Sequence, residues 1–242
     1  MKPAPDRRHK YIVIRDWLSA QISSGAFARG EQIPSEHDIM ERFGVSRVTA
    51  RQAFTELRNA GLIDAKRGKG YFVSHFAATA NLERLQGFGE MMAALGIQTS
   101  SEVLELAEYP AEAAVGLALE LAEGALVTKL VRTRNAGGRT VAISINQFPV
   151  KLGRKVMCLD LARHDLYVLL ESKLGIELAY ADTTLDVARA GPMPARYLGM
   201  AEDAPVMRIT RVTFDSAGRP LVHECSFSAL EAMKFRIRVP RW

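Results

Sequence analysis

The chain has 242 residues, 48% of them hydrophobic and 24% charged, which suits a folded globular protein with one large or two smaller domains. No apolar run approaches the ~20 residues of a membrane span. The start, MKPAPDRRHK, lacks the apolar core of a signal peptide, and Cys158 and Cys225 fit no metal spacing, so two reduced thiols in a cytoplasmic protein are expected. The net charge of +5 is unevenly placed: residues 1–76 carry 13 Lys and Arg against 8 Asp and Glu, and the remainder carries 19 of each. A basic module on a neutral body is the charge footprint of a DNA-binding head.

Residues 1–9 show no periodic pattern, although Arg7, Arg8 and Lys10 are candidates for phosphate contacts. From Lys10, the residues Tyr11, Ile12, Ile14, Trp17, Leu18 and Ile22 make a helical apolar stripe that closes at Ser24-Gly25. After a loop to Ile33-Pro34, Ser35 is a good N-cap for a helix carrying Ile39, Met40 and Phe43. Gly44 stops that helix and Val45 fills the turn. Ser46 caps the next helix, whose expected buried face is Val48, Ala50, Ala53, Phe54 and Leu57, and Gly61 ends it. Arg47, Thr49 and Arg51 fall near its start, with Arg47 and Arg51 one turn apart on one face. A recognition helix reads bases with its N-terminal residues, and arginine suits guanine edges and phosphates. Leu62-Ile63 opens a strand, Lys66 to Gly70 makes a hairpin tip, and Tyr71-Phe72-Val73 returns. The whole reads as a winged helix-turn-helix. Its candidate DNA-binding residues are Ser35, His37, Ser46, Arg47, Thr49, Arg51, Lys66, Arg67, Gly68, Lys69 and Gly70. The wing cations suit a phosphate backbone or a minor groove.

The pieces IPSE, GVSRVTARQAFTELRNAGLI and RGKGYFV resemble the GntR family of bacterial transcription regulators. The resemblance implies a DNA-binding domain over residues 1–74 and a double-stranded operator as partner. A homodimer would place two heads on an inverted repeat.

His75 to Asn81 is small and weakly patterned, so 75–81 reads as a linker. In the body, 82–242, Asn81 to Leu95 looks helical in its second half, and Gly87-Phe88-Gly89 before it is expected to expose free N–H groups. Strands are expected at Thr99–Leu106, Leu126–Asn135, Val141–Phe148, Leu178–Ala188, Val206–Phe214 and Leu221–Phe227. Short helices are expected at Ala111–Leu119, Asp165–Leu174 and Pro194–Leu198. Most strands are hairpin-linked, which predicts an α+β fold around a mostly antiparallel sheet. Leu130, Arg132 and Arg134 share one strand face; of His223 and Glu224 only one faces inward, and Glu224 is the candidate.

This order of pieces is similar to the UTRA ligand-sensing domain, which is joined to a GntR head in the HutC-type subfamily. Its landmarks are RTRNAGG, the strand ending in Phe148-Pro149, Asp165-Leu166-Tyr167 at a helix start, and FDSAGRPLVHECSFS. The resemblance implies a chorismate-lyase-like fold that also dimerises, and a pocket for a small-molecule effector. The phosphonate-uptake and histidine-utilisation regulators are relatives of this type. In the family two strand arginines commonly hold an anion, matching Arg132 and Arg134. The helix-start motif is usually Ser-Leu-Tyr; Tyr167 matches and Asp165 replaces the serine, while Ser144 stands where an acidic residue is frequent. Asp165 would repel a phosphate, and its roles left open are a plain N-cap, a partner for either arginine, or a seat for an amine. The candidate effector-binding residues are Gly87, Phe88, Arg132, Arg134, Ser144, Asp165, Tyr167 and Glu224.

A lyase-like enzyme is the rival class, but the sequence holds no nucleophile elbow, phosphate loop, metal spacing or Ser/His/Asp arrangement, so no cofactor is expected. A ligand-independent architectural DNA binder is the third reading, and the large second domain argues against it.

Overall fold

The computed structural model describes residues 10–28, 30–66, 68–74, 79–81, 83–93, 97–136, 138–237, 239 and 241. The head comprises α1 (Lys10–Ser23), α2 (Glu36–Phe43), α3 (Arg47–Asn59) and a hairpin of β1 (Ile63–Lys66) and β2 (Gly70–Val73). Ser35 and Asp38 form a reciprocal capping box at the start of α2, and Gly44 closes it at φ 57°, a left-handed conformation in which a β-carbon is unfavourable. Ser46 caps α3 by accepting from the Thr49 N–H. Ile14 and Leu18 of α1, Ile39 of α2, and Ala50, Ala53, Phe54 and Leu57 of α3 form the centre of the head, so α1 packs behind α3 as the stripe requires.

Val48 departs from the expected buried face: it is 77% exposed. It lies two residues before Ala50, roughly 200° around the helix from the buried stripe, which places it outward with Arg51, Gln52 and Thr55.

In the body every pairing of the seven-stranded sheet is antiparallel, in the order β4/β5, β6, β7, β10, β9, β8. The strands are β4 (Thr99–Ser100), β5 (Val103–Pro110), β6 (Leu126–Ala136), β7 (Arg139–Pro149), β8 (Leu178–Arg189), β9 (Pro205–Asp215) and β10 (Pro220–Ala229). The expected strand from Thr99 is broken at 101–102. There Glu102 turns its N–H to the Thr133 hydroxyl (3.0 Å) and Ser101 bonds Ala162 O, so β4 and β5 meet β6 separately.

The helices are α4 (Phe88–Ala93), α5 (Ala113–Ala118), α6 (Val150–Val156), α7 (Leu166–Leu174) and α8 (Pro192–Leu198). α6 was not expected; Pro149 ends β7 and at once begins this helix. On one face of the sheet Leu130, Phe148 and Val222 pack with Val156, Leu161, Leu166 and Leu170. The other face is covered at its ends, by α5 through Val115 on Val127 and by α8 through Ala195 on Val206. A further unexpected element is the parallel pair of β3 (Thr79–Asn81) and β11 (Lys234–Arg236), which ties the end of the expected linker to the end of the body.

Candidate DNA interface and ligand cavity

The outward face of α3 presents Arg47, Val48, Arg51, Gln52 and Thr55 to solvent. Arg47 is oriented rather than free: its Nε lies 3.5 Å from Glu36 Oε2. Glu36 Oε1 accepts from the Tyr71 hydroxyl at 2.9 Å, and Tyr71 stacks on Phe54 with ring centroids 4.4 Å apart. Burial and the Glu36 carboxylate raise the Tyr71 pKa, so the phenol remains a donor. Glu36 thus fastens the wing and the start of α2 to the arginine at the start of α3.

Ser35 and Ser46 use their hydroxyls at the helix caps, with Ser46 Oγ 3.0 Å from Thr49 Oγ1. His37 is exposed and sits 3.3 Å from Glu41. In the wing, Lys66 Nζ lies over the Phe72 ring at 4.3 Å, and Gln32 Nε2 donates to Lys69 O at 2.9 Å. Gly68 and Gly70 turn the tip, Gly70 with φ 96°, while Arg67 lies outside the described residues, as do Arg7 and Arg8.

A cavity opens on the α7 face of the sheet beneath α4. Its floor comes from alternate residues of adjacent strands: Arg134, Ser144 and Asn146 of β6 and β7, Glu224, Ser226 and Ser228 of β10, and Ile209 and Arg211 of β9. Gly87, Phe88 and Met91 roof it, and Asp165, Leu166 and Tyr167 close one side. Arg134 donates from Nε to Ser144 Oγ (3.1 Å), and its guanidinium lies 5.6 Å from the Phe88 ring centroid. Arg132 is 0% exposed. Its Nη1 donates to Leu161 O (3.0 Å), while Nε and Nη2 are buried with no partner. Burial drives its pKa well below the ordinary guanidinium value, and the Arg134 charge acts in the same direction; Asp165 and Glu224 oppose.

Asp165 caps α7, accepting from the Tyr167 N–H at Oδ1 (3.0 Å) and from the Gly89 N–H at Oδ2 (2.7 Å). The Tyr167 hydroxyl lies 2.7 Å from Thr213 Oγ1. Glu224 pairs across strands with both Asn146 and Arg211; Asn146 Oδ1 is buried without a partner. Arg211 donates to Thr183 Oγ1 (3.2 Å) and to Gln86 O (3.3 Å). The cavity therefore offers guanidinium donors beside carboxylate and amide acceptors, a set that suits a small molecule of mixed polarity. Among the described residues no group of three His, Cys, Asp or Glu side chains is placed to hold a metal ion.

Two family models match this architecture: "Bacterial regulatory proteins, gntR family" over residues 10–73 and "UTRA domain" over residues 94–234. The chain belongs to the GntR family, as a HutC-type DNA-binding transcriptional regulator with a UTRA body. The HTH-type transcriptional repressor NagR of Bacillus subtilis is 28% identical to this GntR regulator over 213 residues, 88% of this chain and 87% of that one. The histidine utilization repressor of Pseudomonas putida is 26% identical over 234 residues, covering 95% and 92%. The crystal structure of PhnF from Mycobacterium smegmatis has the same fold, with a TM-score of 0.68 at 23% identity over 95% of this chain and 100% of that one.

The GntR regulator's cavity brings together seven of the eight residues expected there: Gly87, Phe88, Arg134, Ser144, Asp165, Tyr167 and Glu224. Arg132 is apart, buried at the sheet and absent from the cavity wall. The expectation of free N–H groups at Gly87 and Gly89 is corrected: Gly87 N–H donates to Glu90 Oε2 (2.9 Å) and Gly89 N–H to Asp165. Of the roles left open for Asp165, the N-cap is the one observed, and no ion pair joins it to Arg132 or Arg134 among the described contacts. Residues missed are Asn146, Ser226 and Ser228, which strand alternation from Ser144 and Glu224 points to, Arg211, which the β9–β10 register sets opposite Glu224, and Glu36, whose role needs the tertiary contact with Tyr71. His164 lines a small recess next to the cavity with Arg134, Arg163 and Asp165.

Proposed function

We propose that this regulator is a repressor. As a homodimer it grips an inverted-repeat operator with α3 and the wing. It lets go when a small metabolite, anionic or amine-bearing, fills the cavity. On this reading residues 1–74 bind DNA, 75–81 link, and 82–242 sense and dimerise. The observation that carries it is the pair Arg132 and Arg134: one guanidinium fully buried with two nitrogens unpartnered, the next lining a cavity. The Arg134 guanidinium at the cavity wall can pair with an anionic group, and Arg132, buried on the same strand face, adds positive potential to the site. Both relatives compared above are named repressors, which favours repression.

Coupling to the head has a physical route. Met233 and Phe235 line the cavity, and β11, which carries Phe235, is paired with β3 at the end of the linker. A ligand that pulls on this ribbon biases the spacing of the two heads, provided it binds the two arrangements with different affinity.

The test is thermal unfolding against a panel of amino acids, small carboxylates, sugar phosphates and phosphonates, with each hit then tried on operator binding. A bound ligand stabilises in proportion to occupancy. A hit should weaken operator binding in the wild type and lose both effects in Arg134→Ala. Operator affinity that stays constant across every stabilising compound would instead favour a ligand-independent DNA binder.

A further inference from the structure

The most specific feature of the cavity is the seat occupied by Asp165. Several positive features converge on this carboxylate: the Gly89 N–H at 2.7 Å, the Tyr167 N–H at 3.0 Å, and the N-terminal end of the nine-residue α7. Arg132 lies close enough for Asp165 to stabilise its charge, and its Nε and Nη2 have no partner of their own. Arg134 lines both the main cavity and the recess on the other side of Asp165. The surroundings are also shaped around the carboxylate. A β-carbon on Gly87 would come within 2.5 Å of Asp165 Cγ, and one on Gly89 within 3.1 Å of Oδ2.

We propose that the Asp165 carboxylate is a built-in anion occupying an oxyanion seat, so that the wild-type cavity rejects phosphoryl groups and its effector is a zwitterion or a neutral polyol. This rests on the reading of the cavity as the effector site. The physics is charge matching. Two peptide N–H groups at a helix start, with the Arg132 and Arg134 charges nearby, make a site for an oxyanion, and the chain supplies that oxyanion itself. A phosphate dianion brought to Arg134 would face a carboxylate at short range in a partly dry site, where like charges repel far more than in water. Serine at this position would keep an oxygen for the cap but leave the Gly89 N–H unanswered, with the volume of the carboxylate emptied beside it.

The experiment measures binding of inorganic phosphate to the full-length protein by calorimetric titration. The wild type should show no saturable binding at tens of millimolar. Asp165→Ser should bind one phosphate per chain, roughly 100-fold more tightly, because the seat is emptied and one like charge at short range is gone. Asp165→Asn, which keeps the cap and the bulk while removing the charge, should gain little, since the volume stays filled. Asp165→Gly opens the same volume and gives a second, independent reading of the emptied seat. Saturable phosphate binding by the wild type that Arg134→Ala abolishes would overturn the proposal. So would folded, operator-binding Asp165→Ser and Asp165→Gly proteins that take no phosphate. Phosphate binding is read directly and not through DNA, so a failure of effector control leaves this result interpretable, and the reverse holds as well.

Discussion

Replacing Gly87 with alanine tests the arrangement around Asp165 without touching a charged group. Gly87 is not among the residues with positive φ, so its backbone accepts alanine. The new β-carbon would lie 2.5 Å from Asp165 Cγ and 2.6 Å from Oδ2, which no real contact tolerates, and the carboxylate must leave. Its departure removes the N-cap of α7, worth about 1 kcal/mol. It also removes a charge-assisted bond to the Gly89 N–H, worth roughly 2 kcal/mol. The expected destabilisation is therefore about 3 kcal/mol, a fall in Tm of roughly 6–12 °C for a protein of this size. Asp165→Gly loses the same bonds and should cost about as much. The double variant has no overlap left, so it should match Asp165→Gly alone, with a coupling of about 3 kcal/mol. Urea and thermal unfolding of the four proteins measure this. A Gly87→Ala protein within about 1 kcal/mol of wild type, or a double variant equal to the sum of the singles, would refute the reasoning.

Arg47→Ala and Arg51→Ala should each weaken operator binding by about 1–3 kcal/mol while the fold is retained, and Lys66→Ala or Lys69→Ala should lower the slope of log affinity against log salt by about 1 per lost phosphate contact. Titration of a selected operator at several salt concentrations checks both, and unchanged affinity in the arginine variants would reject α3 as the reading element. The exposed Val48 is an apolar group between the two arginines and matches the C5-methyl of thymine. Scanning thymine to uracil across the half-site should find a position whose loss weakens the wild type and leaves Val48→Ala unaffected; equal sensitivity of both proteins would exclude the contact. Burial pushes the His223 pKa below its usual value, with Glu224 and Glu112 opposing. The unfolded chain then binds this proton more tightly, so the stability contribution is complete above about pH 6.5 and is lost as pH falls through the lower folded value. Urea unfolding between neutral and mildly acid pH should show this loss, and His223→Asn should flatten it.

Sequence by itself determined the head almost in full. Ser35, Gly44, Ser46 and the stripe Ala50, Ala53, Phe54 and Leu57 act on neighbours within a turn or two, so their pattern carries the helix ends and the buried face. The exception is Val48, which is apolar but falls off the helical period of the buried stripe and faces outward. In the body, alternation along β6 and β10 separated the two faces of each strand and paired Arg132 with Arg134, and Glu224 against His223. Tertiary structure decided the rest. Alternation says that a strand has two faces but not which helices lie over each, so the separation of buried Arg132 from cavity-lining Arg134 was out of reach. The β3–β11 pair joins segments from opposite ends of the body, and the hold of Asp165 on Gly89 spans 76 residues. Such contacts leave no periodic trace in the chain, because they depend on where the sheet brings distant segments together.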